Sequence, residues 1–255
     1  MNIRILQLNM FMGRYLENIK NFLKIHTYDI LHFQEVTNGL YSKQKGTDCF
    51  EELQSILPDH NGELLATWRH TEDNASYFGN ATFYNKSFSL EKKNEVWMKP
   101  FALFGDVGKH TAPLVPRAGL DLTLNKDGVS FHSINVHMAW TPQSNIVQPH
   151  QLEQGTILAK YIATIKDPYF LTGDFNTEGT TSVAQLFDPY VENLTMTHNI
   201  KNTLNMKNHY AKDKIGDGVA VDFIMIKKGL PSVSFKVIRD VELSDHLALE
   251  TEITI

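Results

Sequence analysis

Tyr169-Phe170-Leu171-Thr172-Gly173-Asp174-Phe175-Asn176 is the stretch on which the reading of this chain turns. Residues 169–172 are apolar or β-favouring and read as a buried strand. Gly173 lets the backbone bend without steric cost. Asp174 and Asn176 follow with one residue between them, and in extended backbone residues two apart project to the same side. One carboxylate and one amide therefore leave the strand end together. A carboxylate can orient and deprotonate a water, and an amide can hold an anionic oxygen. An ordinary strand-ending turn uses the same residue types, so the meaning of the stretch depends on what the rest of the chain brings to it.

Working outward, the chain alternates strand-like and helix-like segments. Ile3–Leu8 is β-rich and ends at Asn9, and Leu16, Ile19 and Leu23 carry helical spacing within residues 13–25. Ile30–Phe33 is a short apolar run closing on Gln34-Glu35, and Phe50, Leu53 and Leu57 fit a second helix stopped by Pro58. Residues 62–67, 79–84 and 87–97 read as strands, and 98–113, with Gly105, Gly108 and two prolines, as a long loop. Leu114–Leu124 and Val129–Val136 form a hairpin pattern about Asn125-Lys126-Asp127-Gly128. A helix is expected from Pro149, with Leu152, Gly155, Leu158, Ile162 and Ile165 as its buried stripe. Residues 177–215 read mostly as loop with short helical pieces, and Val219–Ile226, Ser232–Val237 and Leu247–Ile255 complete the strands. About ten strands and three helices, with strands both in hairpins and after helices, predict mixed sheets in a helix-flanked sandwich.

The 255 residues, 42% hydrophobic and 21% charged, support one large core without long disorder, and a single domain spanning 1–255 is expected. Net charge is −5, which leans away from tight nonspecific binding to nucleic acid while leaving room for a local basic groove or a metal-dependent phosphate site. Cys49 is the one cysteine, so no intrachain disulfide forms, and a reducing compartment fits. With no signal-peptide pattern at Met1 and no apolar span, a cytoplasmic monomer without a membrane segment is expected.

Polar residues fall where strands end. Asn9, Glu35 and His137 close three strand-like runs, Asp174 and Asn176 a fourth, Asp222 starts a fifth, and Asp245-His246 precede the last. If the first four strands run one way and the last two the other, all of these gather at one edge of the sandwich. Each has an ordinary reading: Glu35 as a surface carboxylate, Asn9 as a helix cap, His137 as a core histidine, Ser244-Asp245-His246 as a turn. Asp222 is harder to place so, because an unpaired carboxylate inside an apolar run is costly. A histidine of the cluster is its obvious partner. Carboxylates crowded together need a cation or raised pKa values, and oxygen-rich ligands suit Mg²⁺ or Mn²⁺ better than zinc.

The ordered set Leu6-Gln7-Leu8-Asn9, Phe33-Gln34-Glu35-Val36, Asn135-Val136-His137-Met138, Thr172-Gly173-Asp174-Phe175-Asn176, Val221-Asp222-Phe223-Ile224 and Ser244-Asp245-His246 resembles the endonuclease/exonuclease/phosphatase superfamily, with its pancreatic-deoxyribonuclease-like fold. The resemblance spans nearly the whole chain, and Gly79-Asn80-Ala81 and Pro116-Arg117-Ala118 extend it. It implies a four-layered α/β sandwich of two mixed sheets packed face to face, and Mg²⁺-dependent phosphoester hydrolysis with Mn²⁺ as a substitute. It also implies Glu35 as the main metal ligand with Asn9 and Asp245 nearby, Asp174 activating the water, Asn176 and His137 on phosphate oxygens, and His246, held by Asp222, stabilising the transition state. Asn80 and Arg117 are candidate substrate contacts, Arg117 equally a structural ion-pair partner. Trp140 and the loop with Lys99, Lys109 and His110 are placed to shape the groove, though Trp140 also suits packing.

Departures narrow the branch. Val36-Thr37 lacks the lysine two places after the glutamate that marks abasic-site repair enzymes, and the disulfide of secreted deoxyribonucleases is impossible. The tryptophan-cysteine-aspartate-arginine block of inositol phosphatases is missing from the sequence. Tyrosyl-DNA phosphodiesterase-like, deadenylase-like and sphingomyelinase-like branches stay open. The expected substrate is thus a phosphodiester, nucleic acid included, with a phosphomonoester or phospholipid as the alternative. A third alternative is a binding protein on the same fold that has lost its chemistry.

Overall fold

The structure, a computed structural model, describes residues 1–105, 113–141, 143–213 and 215–255. In chain order the strands are β1 (Asn2–Asn9), β2 (Ile30–Thr37), β3 (His60–His70), β4 (Tyr77–Asn85), β5 (Ser89–Lys99), β6 (Ala102–Phe104), β7 (Arg117–Lys126), β8 (Val129–His137), β9 (Tyr169–Asp174), β10 (Val191–Asn193), β11 (Asp222–Lys227), β12 (Ser232–Ile238) and β13 (Ala248–Thr254). The α-helices are α1 (Leu16–Leu23), α2 (Cys49–Ile56), α3 (Pro149–Ile162), α4 (Ser182–Gln185) and α5 (Leu194–Thr197). One sheet has the order β12-β13-β1-β2-β4-β3-β6 and the other β10-β11-β9-β8-β7-β5.

Three apolar layers hold these elements together. Leu16, Ile19 and Leu53 of α1 and α2 pack on Leu6, Leu8, Leu31 and Phe33, the outer face of the first sheet. Ile3, Ile5 and Ile30 meet Leu120, Leu122, Phe131, Phe170 and Ile224 between the sheets. Leu158 and Ile162 of α3 cover Ile134, Val136, Leu171 and Phe223 on the far side. Central strands buried on both faces explain the near-continuous apolar runs in the sequence. The result is the four-layered sandwich of two mixed sheets.

Strand direction gathers the polar ends. β1 and β2 are parallel, as are β8 and β9, while β13 runs antiparallel to β1 and β11 antiparallel to β9. The C-terminal ends of β1, β2, β8 and β9 therefore share one edge with the N-terminal ends of β11 and β13. Along the faces that meet between the sheets, character changes toward that edge. β1 runs Ile3, Ile5, Gln7, Asn9; β8 runs Phe131, Ser133, Asn135, His137; β9 runs Phe170, Thr172, Asp174; and all of these are buried.

The amides on these faces bond to one another, with Gln7 Oε1 the exception left without a partner among the described residues. Gln7 Nε2 donates to Gln34 Oε1 (2.9 Å) and to Asp222 Oδ1 (3.1 Å), and Gln34 Nε2 donates to Asn135 Oδ1 (2.7 Å). The His32 ring bridges Thr172 Oγ1 (2.8 Å) and Ser133 Oγ (2.7 Å) across the sheets.

Several expectations are corrected. Thirteen strands and five α-helices are found among the described residues, because short edge strands such as β6 and β10 carry too few residues to show periodicity. The stretch 98–113 is not one loop: β5 runs on to Lys99, and β6 pairs with β3. Lys109 and His110 lie outside the described residues. Leu152 is 41% exposed, because α3 turns its Gln151–Gly155–Leu158 side inward instead. The β7–β8 turn is the two-residue Asp127-Gly128, with φ of 56° and 81°, since Lys126 pairs directly with Val129. No helix among the described residues is long and apolar enough to cross a membrane.

Gly173 is fixed by the approach of β8 to β9. Its φ is +151°, and a Cβ there would sit 1.8 Å from the Val136 carbonyl oxygen. Gly173→Ala is expected to cost about 2 kcal/mol or more in urea unfolding at unchanged m. Wild-type stability in that variant would show that the β8–β9 spacing yields freely.

Candidate active site

The site is assembled from six strand ends. β1 delivers Asn9, whose Nδ2 donates to Asp174 Oδ2 (3.0 Å) across the sandwich, while its Oδ1 accepts the Phe11 backbone N–H (3.1 Å). β2 delivers Glu35 from a bulge, where the register with β4 shifts between Phe33 and Val36 and Glu35 adopts φ +57°. A left-handed non-glycine residue stores strain, and a bulge re-aims a side chain, here into the site. β8 delivers His137, with Nε2 3.7 Å from Asp174 Oδ2. Beyond β9, the Asn176 backbone N–H caps Asp174 Oδ1 (2.9 Å) and its Nδ2 donates to the Met138 carbonyl (3.0 Å).

β11 and the segment before β13 close the arrangement. Asp222, fully buried, accepts from Gln7 Nε2 on Oδ1, and from Thr203 Oγ1 (2.7 Å) on Oδ2. His246 Nδ1 lies 2.9 Å from Asp222 Oδ2, and its Nε2 lies 3.8 Å from Asp174 Oδ2. Asp245 is 4% exposed and accepts from Ser244 Oγ (3.2 Å).

Burial dominates the electrostatics. It pushes the Glu35 carboxyl up to about 7, with the nearby Asp245 charge adding to it and His246 and the Asn9 amide opposing. It pushes Asp174 up to about 6, opposed by His246 and reinforced by Asp222, and it raises Asp245. Burial alone would lower His246, but the Asp222 and Asp174 carboxylates outweigh it and hold the ring well above the ordinary histidine value. His137 is driven the other way, by burial and then by the Arg117 charge, and is held neutral.

Arg117 forms no ion pair among the described residues. Its Nε donates to the Met138 carbonyl (3.2 Å), and its guanidinium lies 5.3 Å from the centre of a Trp68 ring that is itself stacked on Phe78. Burial lowers its pKa to about 10, which leaves it charged at neutral pH.

These side chains front a cavity of about 560 Å³, which Glu35, Arg117, His137, Trp140, Asp174, Asn176, Asp245 and His246 line. Asp222 and Asn9 do not line it; each is bonded to a residue that does, Asp222 to His246 and Asn9 to Asp174. Asn80 does not line it either: its Nδ2 donates to the Ala118 carbonyl (3.0 Å), and its Oδ1 is buried without a partner among the described residues. His209 also lines the cavity, buried, its ring 6.0 Å from His246, with a pKa lowered to about 4 by burial. Residue-by-residue reading missed it, because it sits in the irregular stretch 177–215, where no strand end marks a position.

The donor set fits a hard divalent cation. Glu35, Asp174 and Asp245 are carboxyls held up by burial and, secondarily, by neighbouring carboxylates, the state that a bound dication relieves. Ligand atoms of His209, Asp245 and His246 lie within 4.8 Å of one another, as do those of Asp174, Asp222 and His246. Glu35 stands in neither set among the described residues.

A sequence profile of the Endonuclease/Exonuclease/phosphatase family matches residues 6–246. No curated protein gives a significant sequence match. Among solved structures, the chain is similar to an endonuclease/exonuclease/phosphatase from Bacteroides vulgatus, with TM-score 0.76, 17% identity, and 100% of this chain and 99% of that one covered. It is also similar to the Bacteroides thetaiotaomicron mannosyl-6-phosphatase, with TM-score 0.71, 16% identity and coverage of 99% and 100%. The catalytic domain of human Nocturnin, determined with a bound sulfate anion, gives TM-score 0.73, 19% identity and coverage of 99% and 93%. Profile, fold and strand-end chemistry together make this chain a member of the endonuclease/exonuclease/phosphatase family, a metal-dependent hydrolase of phosphoester bonds.

Proposed function

We propose that the chain is a Mg²⁺-dependent phosphodiesterase in which Asp174 activates the attacking water. One observation carries this reading: a carboxyl with a pKa near 6 lies between a histidine held cationic and one held neutral, at the edge of a 560 Å³ cavity. A general base works best when its pKa is near the working pH. The backbone N–H of Asn176 and the amide of Asn9 fix the Asp174 carboxylate in place, so that a free lone pair is left for a water.

His246 supplies the positive charge for the developing phosphoryl negative charge, and Asp222 keeps its Nδ1 proton in place so that Nε2 faces the site. His137, neutral, can donate one hydrogen bond to a phosphoryl oxygen without competing for the Asp174 proton. The second N–H of the Asn176 amide is available for the same purpose. Glu35 and Asp245, with Asn9 and Asp174 beside them, would hold the cation, with Mn²⁺ as a substitute. When bound, the cation supplies charge neutralisation of the phosphoryl oxygens.

Arg117 and Trp140 are proposed substrate contacts on the cavity wall. Asn80, one layer behind, is proposed to hold the Arg117–Ala118 backbone rather than to touch substrate. The chain is read as one domain acting as a cytoplasmic monomer, which light scattering of the purified protein checks: a dimer mass would overturn the monomer.

Asp174→Asn keeps the shape and removes the base. It is expected to lower kcat about 10²–10⁴-fold with KM little changed. Near-normal turnover of bis(p-nitrophenyl) phosphate by this variant would remove Asp174 from the role.

Metal affinity should depend on pH with a definite sign. Glu35 and Asp174 are raised, so in the metal-free protein their contribution to stability is present below the ordinary carboxylate range. It is lost as pH rises through about 6 and 7. A dication must displace those protons at low pH and meets free carboxylates above. Mg²⁺ titration calorimetry is therefore expected to show affinity rising between pH 5 and 7.5, with protons released at the acid end. A pH-independent affinity would contradict the assignment.

A further inference from the structure

Asn176 stands beyond the end of β9, with its backbone in a left-handed conformation at φ 52°. Asparagine tolerates that region better than most residues, but it does not rest there by preference. Three bonds keep it in place. Its backbone N–H donates to Asp174 Oδ1 (2.9 Å), and its Nδ2 donates to the Met138 carbonyl (3.0 Å). The third comes from α3, where Gln151 Nε2 donates to the Asn176 carbonyl (3.0 Å).

The same amide group reaches the other loop. Gln151 Nε2 also donates to the Ala139 carbonyl (3.1 Å), just past His137 at the end of β8. An amide nitrogen carries two hydrogens, and here each has its own acceptor. Gln151 Oε1 accepts the Gln148 backbone N–H (3.2 Å), which ties the side chain to the start of its own helix. Gln154, also buried, accepts the Ala139 backbone N–H on Oε1 (2.9 Å), so both backbone polar groups of Ala139 end on α3.

Gln151 is fully buried. Where α3 only covers the second sheet it presents Leu158, Ala159 and Ile162. A buried amide is tolerated only through the partners it finds, and the partners here are the two backbone segments that carry His137 and Asn176. Between them, the Met138 carbonyl is shared by Asn176 Nδ2 and Arg117 Nε (3.2 Å).

We propose that Gln151 is a positioning residue for the reaction. It locks Asn176 to the loop after β8, and so sets the Asn176 side chain toward the phosphoryl group and the Asn176 N–H against Asp174. Gln151 does not line the cavity and acts only through Asn176. The effect on rate rests on the phosphodiesterase reading; the lock itself rests on the hydrogen bonds.

The test is a double-variant cycle on bis(p-nitrophenyl) phosphate with the full chain and Mg²⁺, each rate divided by the folded fraction from urea unfolding. Gln151→Met keeps the size and removes the donor. It is expected to lower kcat about 10–100-fold with KM within about threefold, the loss that a small misplacement of a contacting group brings. Asn176→Gly deletes the amide being positioned and frees the left-handed backbone of steric cost. In that background Gln151→Met is expected to cost about threefold or less. An equal factor in both backgrounds would mark Gln151 as a packing residue and overturn the proposal. Gln154→Met releases Ala139 but leaves Asn176 held, so it should lower kcat less than Gln151→Met; a loss as large also overturns it.

Amide exchange at Asn176, followed by NMR, reads the lock without turnover. In Gln151→Met it is expected to speed up about tenfold or more while Phe170 stays protected; unchanged exchange overturns the lock. If Gln151→Met fails to fold, Gln151→Glu, which keeps the Gln148 bond, takes its place with the same expectations. A wild-type kcat in Asn176→Gly would remove Asn176 from the reaction and overturn the rate effect. No turnover by the wild-type chain would sink the phosphodiesterase reading, and the exchange result would still decide the lock.

Discussion

The carboxylate of Asp222, fully buried between two sheets, is the feature on which the site depends. An ionised carboxylate in such a place is tolerated only when its oxygens are taken up. Gln7, Thr203 and His246 do this from three separate parts of the chain. In return, Asp222 holds His246 with one nitrogen inward and the other facing Asp174. The pair cannot form until β1, β11 and the segment before β13 are all in place, so the chemistry is tied to completion of the fold.

The same constraint explains the polar gradient between the sheets. At one end the facing residues are Ile3, Ile5, Phe131, Phe170 and Ile224, which need nothing from each other but contact. Toward the site they become Gln7, Gln34, Asn135, His32 and Thr172, each bonded across the sandwich or to its neighbour. A carboxylate placed directly against a dry apolar core would be neutral or mispaired. The amide layer provides graded polarity and fixes the direction in which each group points. Around the site, left-handed backbone falls on the rim, at Glu35, Phe11, Met12 and Asn176, all with positive φ. There the backbone is bent to aim side chains rather than to build the core.

Strand pairing adds a hard steric limit. The closeness of β8 and β9 leaves no room for a side chain at Gly173, and this same closeness sets His137 beside Asp174 in register. The glycine of the opening stretch is therefore less a hinge than a contact surface for Val136. The bend that follows it is made instead at Asn176, whose left-handed backbone and Met138 contact turn the chain out of the sheet.

Sequence alone determined the strand ends that matter and their residue types. Asn9, Glu35, His137, Asp174, Asn176, Asp222, Asp245 and His246 stood out because a polar residue at the end of an apolar run is uneconomical without a purpose, and all eight are buried or half-buried at one edge. The mixed, helix-covered sandwich followed from runs apolar on both faces. Tertiary structure decided what spacing cannot carry. It brought in His209 from an irregular segment, set Asn80 behind the wall, and laid Arg117 against Trp68, without an ion pair among the described residues. The physical reason is range: strand alternation acts over two residues and is written in the chain, whereas burial, charge balance and backbone strain depend on neighbours that only folding supplies.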